Sequence, residues 1–156
     1  MQLPIGTPPK IVSEKRVGPL VCCIEYPKGT MRGGKSWKGE SPADYGFIDG
    51  YIGADGDEID CYIGDCTEAQ RVYVVNQTHV HANDVFDEHK VMLGFQSKEE
   101  ALSIYMSGHN KSNEIFHSMV DLSMQDFVRW LKHGNLNYPL SKNVAFSSSA
   151  SVRSFV

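Results

Sequence analysis

Long apolar runs are missing from this chain. No stretch approaches the roughly 18 consecutive apolar residues that a membrane-spanning helix needs, so no membrane partner is expected. Cysteine is scarce: Cys22, Cys23, Cys61 and Cys66 are the four in 156 residues, and none forms a C-x-x-C pair. That argues against a thiolate metal site or a disulfide framework, and the adjacent Cys22 and Cys23 would face opposite sides of a strand as reduced packing residues. Basic charge is not in excess either. Fifteen Lys and Arg against nineteen Asp and Glu leave a formal charge of −4 and a pI near 5.8, which is not the overall balance of a nucleic-acid binder, although a local basic patch is left open. Residues 1–10 lack the basic and apolar regions of a secretory signal, so a cytoplasmic protein is expected. What remains, 41% apolar and 22% charged residues, is the composition of a single soluble domain with one core.

The chain divides by composition into an N-terminal extension over 1–18, a folded domain over 19–135 and a C-terminal tail over 136–156. The first segment holds three of the seven prolines and little periodicity, and the last is rich in serine. Between them, Leu20 to Tyr26, Tyr45 to Ile52, Glu58 to Ile63, Arg71 to Gln77 and His89 to Phe95 are aromatic and β-branched runs bounded by turn residues, which predicts five short strands. Helices follow. Ser97-Lys-Glu-Glu100 has capping-box spacing ahead of Ala101, Leu102, Tyr105 and Met106, with Gly108 as the stop. Ser123-Met-Gln-Asp126 opens a second helix with Phe127, Val128 and Leu131 on its apolar side and Gly134 at its end. Strands first and helices after them predict an α+β fold, a small five-stranded OB-like barrel with C-terminal helices.

The chemistry concentrates at residues 55–60. Asp55, Asp57 and Asp60 crowd one turn, and like charges this close are costly unless a cation lies among them. Their oxygens suit Mg²⁺, Mn²⁺ or Ca²⁺, and Gly56 lets the backbone turn so that alternate carboxylates can converge. An EF-hand is excluded, since it would need an oxygen ligand at Ile59 and glycine at Asp60. His79 and His81 lack a further ligand at zinc spacing. Before the acidic turn, Lys28, Arg32, Lys35 and Lys38 place four cations in eleven residues, a cluster able to neutralise phosphate oxygens. Gly29 to Ser36 also satisfies G-x-x-x-x-G-K-[ST]. A phosphate-cradling loop must open into a helix, however, and Gly39, Pro42 and Gly46 stand where that helix would run.

In order, Glu25-Tyr-Pro27, Pro42-Ala-Asp-Tyr45-Gly46-Phe-Ile, Asp55-Gly-Asp57-Glu-Ile-Asp60 and Phe86-Asp-Glu88-His-Lys90-Val-Met resemble the signature of soluble family I inorganic pyrophosphatases. The resemblance spans about residues 20 to 95. Ile24-Glu-Tyr-Pro-Lys-Gly, Ala54-Asp-Gly-Asp and Phe86 to Phe95 further resemble the compact pyrophosphatase-like domain of bacteriophage and mobile-element proteins, which implies a phage origin and a host-cytoplasmic location.

The resemblance implies a Mg²⁺-dependent hydrolase, with Mn²⁺ as a substitute, acting on pyrophosphate or another small phosphoanhydride. It implies that Asp55, Asp60 and Glu88 are metal ligands and that Glu25 belongs to the outer metal shell. Asp57 would help to activate the attacking water. Tyr45 and Lys90 would contact phosphate, with Arg32 or Lys35 as basic residues of the loop. Three departures stand out: Glu58 replaces the usual proline, Ser41 replaces a tyrosine, and Asn83 takes the place of a further acidic residue. The family's Tyr-Lys pair on a C-terminal helix has no match, although Arg129-Trp130-Leu-Lys132 lies in a suitable helix. These departures, with the extended termini, keep open an alternative: a phage structural or virion-associated module with weak or no catalysis, which would contact particle proteins, or further copies of itself, through its ends.

Overall fold

The computed structural model describes residues 10–33 and 37–141. Nine strands and three helices follow in the order β1 (Ser13–Val17), β2 (Leu20–Tyr26), β3 (Met31–Gly33), β4 (Lys38–Glu40), β5 (Asp44–Ile52), β6 (Glu58–Ile63), β7 (Arg71–His79), β8 (Ala82–Leu93), α1 (Lys98–Ser107), α2 (Ser112–Ile115), β9 (Phe116–Ser123) and α3 (Met124–His133). The α+β class is as expected. The barrel is corrected: seven strands form one sheet in the order β1-β2-β5-β6-β8-β7-β9, and among the described residues no ladder joins β1 to β9 to close it. Two of these strands lay outside the five expected. β1 pairs with β2 within the stretch assigned to the extension, and β9 pairs with β7 between the two expected helices. Their side chains alternate weakly, so pairing rather than pattern makes them strands.

Alternation then builds a core on each face of the sheet. Ile59, Cys61 and Ile63 of β6, Val72 and Val74 of β7, and Val91 and Leu93 of β8 face one way, where Phe127, Trp130 and Leu131 of α3 cover them. Tyr62, Tyr73, Val75 and Met92 face the other way and pack with Ala101 and Tyr105 of α1. The capping residues read from the sequence behave as expected: the Ser97 side chain accepts the Glu100 N–H at 3.1 Å and that of Ser123 accepts the Asp126 N–H at 3.0 Å. A hairpin, β3 with β4, flanks the glycine-rich loop on both sides, which is incompatible with a phosphate-binding loop that opens into a helix. Asn76 fastens Leu140 to the sheet, accepting its N–H and donating to its carbonyl, each at 2.8 Å. No helix among the described residues is long and apolar enough to cross a membrane.

Candidate active site

Register places the charged side chains on the α1 face. β6 runs parallel to β8, with Asp60 paired to Lys90 and Tyr62 to Met92, while antiparallel β5 sets Tyr45 opposite Tyr62. Period-two alternation therefore carries Asp60, Tyr62, Glu88 and Lys90 to one side of the sheet. The ladder between β2 and β5 shifts register at Glu25, a bulge that leaves this residue half-buried beside the same group.

Lys90 is the hub. Its Nζ lies 2.5 Å from Asp60 Oδ2 and 2.8 Å from Glu88 Oε1, and it donates to the Tyr45 hydroxyl at 2.7 Å. The Tyr45 hydroxyl in turn donates to Asp60 Oδ2 at 2.7 Å. Desolvation opposes the charge on Lys90, but Tyr45, Asp60 and Glu88 outweigh it and raise its pKa well above the ordinary lysine value. Burial raises the Tyr45 pKa too, so its phenol keeps its proton and remains a donor. The Glu88 carboxyl is pushed up to about 7, chiefly by burial, with Asp60 and Asp55 adding to the effect and Lys90 opposing it. Glu25 is raised by burial and then by Asp60 and Glu58.

Asp55, Asp60 and Glu88 line one narrow crevice together with His89 and Gly53. Gly56, at φ 88°, supplies the left-handed turn that folds Asp55 back, and the Asp57 N–H donates to Asp55 Oδ1 at 3.0 Å. The Asp57 side chain is exposed and lines neither the crevice nor the pocket beside it. Chemically this is an oxygen-donor set suited to a hard divalent ion; the raised Glu88 pKa comes first from burial, and the neighbouring Asp60 and Asp55 add a smaller part that such an ion would relieve. In the geometry seen here, Lys90 provides that neutralisation. Among the described residues no three acidic, histidine or cysteine side chains converge closely enough to hold a metal.

Glu88 also lines a second, basic pocket of about 170 Å³, shared with Arg32, Lys90, Tyr62, Gln77, Tyr105 and His109. Arg32 is held over the Tyr45 ring at 3.8 Å, and its Nη1 donates to the Tyr62 hydroxyl at 3.1 Å and to the Gly108 carbonyl at 2.7 Å. Gly108 must lack a side chain here, because a Cβ would overlap the Tyr62 hydroxyl. Lys35 lies outside the described residues. Tyr62, Gln77, Tyr105 and His109 were not among the residues expected at the site. Tyr62 and Tyr105 stand in strand and helix runs that the sequence reads as core or pocket wall, and His109 follows a helix stop where no periodicity marks it. A separate cavity of about 180 Å³ near Asp65, Phe95 and Glu100 is lined by Lys28 of the cation cluster but by none of the residues given a metal, substrate or catalytic role above.

In a family comparison the model described as Inorganic Pyrophosphatase matches residues 13–132, a span that contains all the motifs of the resemblance. The chain belongs to the inorganic pyrophosphatase family. The match includes β1 and ends within α3. No curated protein and no solved structure matches the chain.

Proposed function

We propose that the protein hydrolyses inorganic pyrophosphate to phosphate by attack of water, with no covalent enzyme intermediate. Besides membership of the family, the observation that carries this reading is the abutment of an acidic crevice and a basic pocket at Glu88 and Lys90. Cleaving a polyanion requires cationic groups on the phosphoryl oxygens and a place for the water's proton; Lys90 and Arg32 stand at one pocket, and Asp57 is in the turn next to Asp55 of the adjoining crevice. Asp55, Asp60 and Glu88, which do not converge on one point in this structure, would have to draw together to hold Mg²⁺, or Mn²⁺ in its place, with Glu25 behind them. Bound there, the ion would supply charge neutralisation and a more acidic water. Lys90 and Arg32 stabilise charge on the phosphoryl oxygens, and Tyr45 would donate a hydrogen bond to one of them once its O–H, given to Asp60 in this structure, is released. Asp57, exposed in the turn next to Asp55 and outside the crevice in this structure, would take the proton of the water after turning inward. A cytoplasmic setting accompanies this reading.

The test is phosphate release in the presence of Mg²⁺ by the wild type and by Asp57→Asn, across pyrophosphate and a panel of nucleotides. We expect turnover of pyrophosphate by the wild type and a loss of about 10²- to 10⁴-fold in the variant, the usual contribution of a general base. No turnover by the wild type of any phosphoanhydride would reject the hydrolase and return the docking module to the foreground. Turnover of a nucleotide in preference to pyrophosphate would keep the chemistry and change the substrate.

A further inference from the structure

We propose that His109 is a substrate-binding residue of this site, an uncharged imidazole whose Nε2–H donates to a phosphoryl oxygen held between Arg32 and Lys90. The proposal rests on the pyrophosphatase reading for its substrate, and on four observations for its residue. First, the Lys111 backbone N–H donates to His109 Nδ1 at 3.0 Å. An Nδ1 that accepts cannot also carry the proton, so the neutral ring has its hydrogen on Nε2. Second, the ring is held from the side by Trp37, with centroids 4.6 Å apart. Third, the preceding residue is anchored to the site itself: the Gly108 carbonyl accepts from Arg32 at 2.7 Å, and the missing side chain at Gly108 lets the end of α1 meet the Tyr62 hydroxyl. Fourth, His109 lines the same pocket as Arg32 and Lys90.

Neutrality follows from the surroundings. Burial first, then the positive charges of Arg32, Lys90 and Lys111, hold the His109 pKa below the ordinary histidine value, so a third full positive charge is not forced into a pocket that already has two. A donor without charge is useful at this point. It discriminates the direction of a phosphoryl oxygen while leaving the balance with the carboxylates of the crevice undisturbed.

The experiment compares His109→Gln, which keeps an N–H donor, with His109→Phe, which keeps a ring against Trp37 but donates nothing. Steady-state hydrolysis is measured on the full-length chain, and ¹⁵N spectra of the wild-type imidazole are recorded while inorganic phosphate is added. We expect His109→Phe to lose about 10- to 100-fold in kcat/KM, the range for a hydrogen bond to a charged group, and His109→Gln to retain most of it. The Nε2 resonance should be of the protonated type and should shift on addition of phosphate, while Nδ1 stays of the acceptor type. Equal activity of the Phe variant and the wild type, or an Nε2 resonance unmoved by phosphate, overturns the proposal while leaving the hydrolase intact. A wild type without turnover whose Nε2 still responds to phosphate rejects the hydrolase and upholds His109 as an anion ligand. Circular dichroism of both variants checks that they fold, and an unfolded Phe variant hands the decision to the phosphate titration.

Discussion

Replacing Lys90 by methionine, in the presence of a chelator, isolates what the ammonium contributes to the fold. Methionine keeps most of the stem's volume, so packing changes little and the loss is electrostatic. In the wild type the side chain is 14% exposed and neutralises Asp60, at 2.5 Å, and Glu88, at 2.8 Å. Removing one partner from a buried ion pair costs about 3–5 kcal/mol. Asp60 is 31% exposed and water can help it, so we place the loss at the lower end, about 3 kcal/mol near pH 8. The loss should depend on pH in a defined direction. Glu88 titrates at about 7 in the fold, above the ordinary glutamate value, so its contribution to stability is present at low pH and is lost as the pH rises through 7. Without Lys90 its pKa rises further. Around pH 5.5 both proteins therefore carry a neutral Glu88 and differ mainly through Asp60, whereas above pH 7 the variant must retain a proton or bury an unpaired carboxylate. Urea unfolding at the two pH values, followed by tryptophan fluorescence, should show the larger difference at the higher pH. A loss below about 1 kcal/mol near pH 8, or an equal loss at both, would refute the view of Lys90 as the hub.

Three further outcomes are expected. Phe127, fully buried on α3, should cost about 3–5 kcal/mol when changed to alanine, read as a lower urea midpoint with an unchanged slope. His89 is buried against Trp130, with ring centroids 4.8 Å apart, and burial lowers its pKa to about 4. Folding therefore disfavours its charged form, and stability is lost as pH falls from about 6.5 through 4, so His89→Leu should flatten that part of a melting-temperature profile measured with chelator. Addition of Mg²⁺ should raise the melting temperature of the wild type but not of a protein changed at both Asp60 and Glu88 to the amides, and an equal rise in both would remove these side chains from the metal proposal.

Runs of six to eight residues with aromatic and β-branched side chains, helices bounded by Ser97 and Ser123 caps, and the crowded turn around Gly56 are local features, set by periodicity, capping and backbone conformation within a few residues. They could be read directly from the chain, as could the order of acidic and basic motifs. Partners far apart along the chain could not. The pairing of Asp60 with Lys90 depends on a parallel ladder between β6 and β8, thirty residues apart, and Tyr45 joins them only because β5 lies on the other side of β6. The edge strands β1 and β9 acquire their structure from neighbours rather than from alternation, and the open sheet of seven follows from those pairings. Likewise, nothing near position 109 marks a pocket residue until the end of α1 docks on Arg32 and Tyr62. Side-chain chemistry is inherited from composition, while the distance between two charges is decided by which strands hydrogen-bond and in what register.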